Sequence, residues 1–240
     1  MDCPVCGHKT IKSFYCKDHE FEKFDVKIFD CDFCNTFIVD KSTAGVQLKD
    51  YYKNSYYERP GLLSSFLRSL RYKKFSKLMP GYFLDVGCGS GFFLEKMNNE
   101  GWTSFGQEVS KGSKTYLEKL KKSGIKIFYG DMLDFNTSEK FDLITLFHVI
   151  EHVEKPVLLL KKIRKILKPG GALFIATPNS KSFSSMFFKC KWFHLDPPRH
   201  LAVYSGESLS ILLEKTGFKV KKSSRFSFEY DPFGITQSVY

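Results

Sequence analysis

Three histidines and one glutamate are the side chains in this sequence best suited to move a proton or to bind a metal ion. His148, Glu151 and His152 lie within five consecutive residues. If that stretch forms a helical turn, the three side chains share one face, because residues three and four apart are neighbours on a helix. His200 follows two prolines and an arginine further along the chain. Two imidazoles and a carboxylate can hold a divalent metal, and an imidazole alone can act as a general base.

Four cysteines near the N-terminus have the spacing of zinc ligands. Cys3 and Cys6 form one Cys-x-x-Cys pair, and Cys31 and Cys34 form a second, with 24 residues between the two pairs. Four thiolates can close tetrahedrally on zinc, as they do in zinc ribbons. Such a site leaves no open position for water, so we expect a structural zinc and a zinc-ribbon-like module.

Other pairings of these cysteines remain open. A disulfide or a redox Cys-x-x-Cys is the alternative, although stable disulfides are uncommon in cytosolic proteins. His8, Cys16 and His19 are spare ligands that could replace one of the four. We expect the remaining Cys88 and Cys190 to be ordinary small side chains.

A strand, a glycine-rich turn and a helix are predicted near the middle of the chain. Asp85 ends an apolar run, and Gly87, Gly89 and Gly91 follow at every second position. Glycine is needed there because a Cβ would keep a ligand from lying against the backbone of the turn. The dinucleotide fingerprint Gly-x-Gly-x-x-Gly would require glycine in place of Phe92. The carboxylate of Asp85 suits a cationic or amine-bearing ligand better than a pyrophosphate.

Four more strands are predicted after this turn, and acidic residues end two of them. Glu108 ends the second strand and Asp131 ends the third. An acid at the tip of the second strand is well placed to hold ribose hydroxyls, as in other nucleoside-binding α/β sheets. A helix that closes at residues 167–171 precedes the last of these strands. The four strands are predicted at residues 103–108, 125–131, 141–147 and 172–179.

This ordered set of motifs resembles the class I S-adenosylmethionine-dependent methyltransferases, from about Tyr82 to Phe226. The resemblance implies an α/β, Rossmann-like, mostly parallel sheet of the seven-stranded type with helices on both faces. It also implies that S-adenosylmethionine is the cofactor. The implied cofactor contacts are Asp85 and Gly87 near the methionine part, Gly89 and Gly91 at the close approach, Glu108 at the ribose, Asp131 at the adenine amino group and Met132 at the adenine ring. A different nucleotide-binding α/β domain that shares only the first turn is the alternative.

In the same resemblance, the loop after the fourth strand borders the transferred methyl group. Ubiquinone-pathway O-methyltransferases and small-RNA 2′-O-methyltransferases carry Glu-x-x-Glu-His in that loop, and this chain has His148 in place of the first glutamate. A hydroxyl acceptor must lose a proton, and His148 is our first choice for the general base that takes it, with His200 the second. A catalytic divalent metal held by His148, Glu151, His152 and His200, and a purely structural role for these residues, both remain open.

Composition limits the class of protein. The chain has 240 residues, 42% of them hydrophobic, and 37 basic against 26 acidic residues, which gives a formal charge of +11. It has no apolar run of about 18 residues and no signal-like N-terminus, so we expect a cytoplasmic protein without a transmembrane segment. The basic residues fit solvated outer helix faces, and they also fit anionic partners such as sugar nucleotides, RNA or a membrane surface.

Three parts are predicted along the chain: a zinc-ribbon-like module at residues 1–40, a helical connector at 41–80 and a methyltransferase domain at 81–240. The connector contains Tyr51, Tyr52, Tyr56 and Tyr57, which either line the active site or pack the interface between modules. This arrangement resembles bacterial methyltransferases of surface-polysaccharide and nucleotide-sugar pathways. We therefore expect a sugar-type small-molecule acceptor.

Other acceptors remain open from sequence alone. One is RNA, methylated at the 2′-oxygen with a metal-assisted site, and another is a quinone or phenol. A module that binds the cofactor without turnover is the non-enzymatic alternative. Neither the oligomeric state nor the methylated atom is indicated by the sequence.

Overall fold

The computed structural model describes residues 1–18, 24–43, 72–110 and 113–224. The chain divides into two compact units. We call the first the sheet unit; it consists of Lys53–Val149 and Leu158–Ala176. We call the second the cysteine unit; it consists of Met1–Tyr52, Ile150–Val157 and Thr177–Tyr240. The boundaries of the three parts predicted from sequence stay a prediction.

The sheet unit contains five parallel strands in the order β6-β5-β4-β7-β8. The second and fourth of these strands along the chain, β5 and β7, have the bounds predicted from sequence. The strands are β4 (Tyr82–Val86), β5 (Thr103–Glu108), β6 (Lys126–Tyr129), β7 (Phe141–Phe147) and β8 (Leu167–Ala176).

Three helices connect these strands: α1 (Phe92–Asn99), α2 (Lys114–Lys122) and α3 (Pro156–Ile166). The strand order runs outward in opposite directions from the β4–β7 pair. Because parallel crossovers are right-handed, α1 and α2 cover one face and α3 covers the other. The reversal also leaves a crevice at the carboxyl ends of β4 and β7, where ligands bind in open α/β sheets. These features confirm the predicted Rossmann-like fold.

The start of β8 differs from the prediction. Residues 167–171 were expected to close a helix, but α3 ends at Ile166 and the strand begins at Leu167. Pro169 cannot continue a helix, since it has no backbone N–H. Gly171 is required here because an added Cβ would lie 2.9 Å from the carbonyl oxygen of Phe141. The register of the β7–β8 pair shifts at the same point.

The cysteine unit contains a four-stranded antiparallel sheet in the order β1-β2-β3-β9. Its strands are β1 (Ser13–Lys17), β2 (Asp25–Asp30), β3 (Phe37–Val39) and β9 (Ala202–Val203). Two helices belong to the same unit, α4 (Phe183–Phe188) and α5 (Gly206–Lys215). The N-terminus of α5 is fixed by a capping box between Ser205 and Ser208. The chain therefore adds a strand and two helices from its C-terminal part to its N-terminal hairpin.

A disulfide joins two of the segments that form the cysteine unit. Cys16 on β1 is bonded to Cys190, 174 residues later. The expectation that Cys190 is an ordinary small side chain is therefore wrong, and Cys16 is not a spare zinc ligand. The reason is tertiary: β1 packs in the same buried cluster as Trp192 and Leu195, which brings the two thiols together.

Several expectations lie outside the described residues. These are the roles of Tyr51, Tyr52, Tyr56, Tyr57 and His19, and most of the connector helix. Within the part of the chain that the structure describes, there is no helix long and apolar enough to cross a membrane.

Candidate functional site

The glycine turn after β4 opens onto free space at one position. An added Cβ at Gly89 would have nothing within 4 Å, whereas Cβ atoms at the other two glycines would meet neighbouring side chains. At Gly87 the neighbour is Val149, 2.5 Å away, and at Gly91 it is Leu120, 2.3 Å away. Of these three glycines, Gly89 is the one with open space at its Cβ position, so the predicted close approach of a ligand is sterically possible there. Gly91 instead lets α1 pack against α2.

Glu108 holds the glycine turn to the end of β5. Its carboxylate accepts hydrogen bonds from the backbone N–H groups of Gly89 and Ser110, both at 2.8 Å. The residue is buried, with 8% of its surface exposed. Each carboxylate oxygen has a second lone pair, so Glu108 can support the turn and still accept hydrogen bonds from ribose hydroxyls.

Two polar side chains that the sequence analysis missed complete this edge of the sheet. Gln107 accepts a hydrogen bond from the Gly87 N–H at 3.1 Å and donates one to the Gly130 carbonyl at 2.6 Å. Thr145 donates its hydroxyl to the buried carboxylate of Asp85 at 2.6 Å. Gln107 directly precedes Glu108, and Thr145 lies on the strand that pairs with Asp85. Both are in the carboxyl-terminal half of their strands, and this position is the sequence signal that could have identified them.

Asp131 and Met132 lie just after β6. Asp131 is exposed, and its carboxylate accepts the Leu133 N–H at 2.8 Å, which starts a short 3-10 turn at Met132–Asp134. Met132 is buried, with 3% of its surface exposed. With Asp85 and Glu108, this gives three carboxylates at the carboxyl ends of neighbouring strands. The open backbone at Gly89 and these acids fit the amine, ribose and adenine amino groups of S-adenosylmethionine.

Glu151, His152 and His200 form a second cluster, within the cysteine unit. One ligand atom from each of the three residues lies within 4.8 Å of the others, and the two imidazole rings are 4.7 Å apart at an edge-to-face angle of 68°. A 3-10 turn at Ile150–His152 presents the first two residues. The third is brought to them because the Leu201 N–H donates to the carbonyl of Glu151 at 2.7 Å.

Backbone carbonyls fix the tautomers of both histidines. Nδ1 of His152 lies 2.9 Å from the carbonyl oxygen of Arg199, and Nδ1 of His200 lies 2.8 Å from that of His194. A carbonyl can only accept, so Nδ1 carries a proton, and in the neutral form of the ring Nε2 carries the lone pair. Metal-binding histidines in proteins are commonly oriented in this way. With the Glu151 carboxylate, which accepts the Thr177 hydroxyl at 2.9 Å, the donor set fits a divalent metal.

The environment of His200 keeps its ring neutral. Burial, together with the nearby His152, lowers the pKa of His200 to about 4. A neutral imidazole is the form that binds a metal, and a low pKa makes it a weak general base.

His148 is not on a helical turn with Glu151 and His152. Its backbone has φ 54°, in the left-handed region, and its N–H donates to the Ala176 carbonyl at 2.8 Å. The expected shared helical face is therefore absent, because the chain leaves β7 through this left-handed residue before the 3-10 turn begins. Backbone conformations of this kind are costly and are concentrated at functional loops.

The four predicted zinc ligands also lie together. The sulfur atoms of Cys3, Cys6, Cys31 and Cys34 are all within 4.8 Å of one another. His8 is not part of this group, since its side chain lies 3.3 Å from Asp32 and stacks on the ring of Phe33.

Comparison with known proteins identifies the family. The family described as a methyltransferase domain matches residues 58–223. That match covers well over half of the chain, and the chain belongs to this family.

Curated relatives of the chain include ubiquinone biosynthesis O-methyltransferases. The protein of that name from Dinoroseobacter shibae is 30% identical over 146 residues, which are 57% of this chain and 59% of that protein. The one from Caulobacter vibrioides is 36% identical over 101 residues, 40% of each chain. The chain thus spans about half the length of the curated relatives that it matches.

A solved structure shares the fold. A S-adenosylmethionine-dependent methyltransferase from Archaeoglobus fulgidus aligns with a TM-score of 0.54 and 24% identity, over 65% of this chain and 69% of that chain. Taken with the parallel sheet and the glycine turn, the family and its relatives confirm the prediction of a class I S-adenosylmethionine-dependent methyltransferase.

Proposed function

We propose that this methyltransferase transfers the methyl group of S-adenosylmethionine to a hydroxyl of a small phenolic acceptor, with a divalent metal at Glu151, His152 and His200. The observation that carries the proposal is the grouping of one carboxylate and two imidazoles within 4.8 Å, with Nδ1 of each ring facing a backbone carbonyl. The names of the curated relatives support a phenol or quinone-type acceptor. They favour that alternative over the sugar acceptor expected from sequence, and over RNA.

The cofactor is held by residues of the sheet unit. Gly89 lets the ligand approach the backbone, and the carboxylates of Asp85, Glu108 and Asp131 accept hydrogen bonds from its amine, ribose and adenine amino groups. Met132 and its backbone bound the adenine ring. These contacts orient the cofactor so that the sulfonium methyl faces the acceptor for an in-line displacement.

The acceptor must lose a proton as the methyl group is transferred. The carbon–sulfur bond of the sulfonium breaks, a carbon–oxygen bond forms, and S-adenosylhomocysteine leaves as a neutral thioether. His148, which follows β7, is the residue that we propose receives the hydroxyl proton. A divalent cation at Glu151, His152 and His200 would lower the pKa of a ligated hydroxyl. The carboxylate of Glu151 would balance part of the charge of this cation, and the imidazoles of His152 and His200 would be its other protein ligands.

The test is transfer of a labelled methyl group to a catechol, to a pool of nucleotide sugars and to total small RNA. We compare wild type with Glu151→Gln and with a matched control, Glu154→Gln. Glu154 lies in the same segment but is exposed and pairs with Lys41. We expect label on the catechol, a rate lower by about a hundredfold or more in Glu151→Gln, and little change in Glu154→Gln.

Each other outcome contradicts part of the proposal. Label only on nucleotide sugars would restore the sugar acceptor, and label only on RNA would restore the nucleic-acid acceptor. Full activity of Glu151→Gln, or of wild type dialysed against a chelator without added Mg²⁺ or Mn²⁺, would exclude the metal role.

A further inference from the structure

The four sulfur atoms of the N-terminal cysteines have the separations of a metal-thiolate site. Sγ of Cys3 lies 3.6 Å from Sγ of Cys34, and Sγ of Cys6 lies 3.6 Å from Sγ of Cys31. A tetrahedral zinc with bonds of about 2.3 Å places its sulfur ligands about 3.8 Å apart. We call each Cys-x-x-Cys turn a knuckle. Each of these two sulfur pairs joins one knuckle to the other, so a single ion would be bound by both knuckles.

The two Cys-x-x-Cys turns have the same backbone structure although their sequences differ. In the first, Gly7 has φ 79° and its N–H donates to the Cys3 carbonyl at 2.9 Å. In the second, Asn35 has φ 57° and its N–H donates to the Cys31 carbonyl at 2.7 Å. Both turns bend through a left-handed residue directly after the second cysteine. The left-handed conformation is uncommon for a residue other than glycine. Its occurrence at the same position of both turns indicates that the two turns need the same backbone geometry.

The turns also direct hydrogen bonds at sulfur. The His8 N–H donates to Sγ of Cys6 at 3.5 Å, and Oγ1 of Thr36 lies 3.1 Å from Sγ of Cys34. Among the described residues, Cys3, Cys6, Cys31 and Cys34 take part in no disulfide, although Cys16 and Cys190 do so in the same unit. Four reduced sulfurs facing one point fit a cation better than a redox pair.

The C-terminal part of the cysteine unit holds both knuckles. The Ser205 hydroxyl donates to the Cys34 carbonyl at 2.8 Å, and the Ser180 hydroxyl donates to the Asn35 carbonyl. Nζ of Lys215 donates to the Val5 carbonyl at 3.0 Å. Each of these three bonds joins residues more than 140 positions apart in the chain.

The second knuckle is continuous with the strand pair that positions His200. It leads into β3, whose Phe37 and Ile38 pair with Val203 and Ala202 of β9. The residue before β9 is Leu201, which donates to the Glu151 carbonyl. Disorder of the second knuckle would therefore also loosen β3 and its partner β9, and with them the positions of His200 and Glu151.

We propose that Cys3, Cys6, Cys31 and Cys34 bind one Zn²⁺, and that this ion positions the Glu151–His152–His200 cluster while cofactor binding does not depend on it. The zinc assignment stands on its own geometry, and only its effect on methyl transfer rests on the proposed function. The ion would be structural, since four thiolates leave no position for water or substrate.

The experiment measures zinc content, spectrum, local order and ligand binding in the full chain. We compare wild type with Cys31→Ser and, for zinc content alone, with Cys88→Ser, which removes a buried thiol from the glycine turn of the sheet unit. Metal analysis should give one zinc per chain in wild type and Cys88→Ser, and at least tenfold less in Cys31→Ser. Wild type exchanged with Co²⁺ should show intense thiolate-to-cobalt charge-transfer bands, a readout that needs no variant.

Amide hydrogen exchange tests the positioning role without turnover. Zinc removal should speed exchange at Leu201 and in β9 by at least tenfold, and should change the Kd for S-adenosylhomocysteine by less than twofold. Methyl transfer to whichever acceptor wild type uses should fall at least tenfold in Cys31→Ser.

Specific results would overturn each part. Full zinc content in Cys31→Ser, or cobalt bands without thiolate character, would overturn the metal site. Unchanged exchange at Leu201 after zinc removal would overturn the positioning role. If wild type methylates no tested acceptor, the proposed function fails, but the zinc and exchange results still decide this inference.

Discussion

The two units of this protein are stabilised in different ways. The sheet unit closes around a continuous core of aromatic and aliphatic side chains, among them Phe83, Phe93 and Trp102. The described part of the cysteine unit has a buried cluster that includes Ile28, Trp192 and Val203, and it adds a disulfide and a cysteine cluster. A disulfide stabilises a unit chiefly by restricting its unfolded chain, so part of the stability of the cysteine unit depends on cross-linking.

The residues proposed for cofactor binding and those proposed for metal binding also belong to different units. The residues fitted to the cofactor belong to the parallel sheet, where consecutive segments form neighbouring strands. The Glu151–His152–His200 cluster belongs to the unit assembled from three distant segments. Substitutions in single loops of the sheet unit should therefore weaken cofactor binding. Loss of cross-links in the cysteine unit should instead disorder the Glu151–His152–His200 cluster.

The largest effect is expected from removing the disulfide. Cys190→Ala should lower the free energy of unfolding of the cysteine unit by about 2–4 kcal/mol, because the cross-link restricts the unfolded chain. Chemical denaturation of oxidised protein measures this, followed by tryptophan fluorescence in a Trp102→Phe background, in which Trp192 is the remaining tryptophan. Reductant should destabilise wild type but not Cys190→Ala. Equal thiol titres of denatured wild type before and after reduction would show that the bond does not form.

A smaller effect is expected from the acid at the end of β5. Glu108→Ala should weaken binding of S-adenosylhomocysteine roughly 10- to 100-fold, since hydrogen bonds to a charged group contribute about 1.5–3 kcal/mol. Isothermal titration gives the Kd. Glu139→Ala, which removes a partly exposed glutamate of the same unit, should bind as wild type does. Equal affinity of Glu108→Ala and Glu139→Ala would remove Glu108 from the cofactor site.

The smallest effect comes from a single methyl group in the glycine turn. Gly89→Ala and Gly124→Ala both place a Cβ on a left-handed residue with nothing within 4 Å of it. Each should therefore lose a similar stability, about 1–2 kcal/mol. Only Gly89→Ala should also weaken S-adenosylhomocysteine, roughly tenfold, because its methyl group enters the ligand space. Equal affinity of the two variants would place the close approach elsewhere.

The sequence by itself determined most of the strands of the sheet unit and the order of its acidic residues. Strand bounds at Thr103–Glu108 and Phe141–Phe147, and the order of the acids at 85, 108 and 131, follow from local patterns. Parallel strands present their carboxyl ends at one edge of the sheet, so acids near the ends of consecutive strands lie at the same edge. Gly91 shows the limit of this reasoning, since its neighbours Leu117 and Leu120 lie on another helix.

Only the tertiary structure decided which distant residues meet. The sequence named His200 as a partner of Glu151 and His152, but it wrongly put His148 on their helical turn, because a left-handed φ cannot be read from residue type. It could not pair Cys16 with Cys190 across 174 residues, nor assign Gln107 to the glycine turn. Such contacts depend on the path of the whole chain, whereas periodicity reports only on neighbours along it.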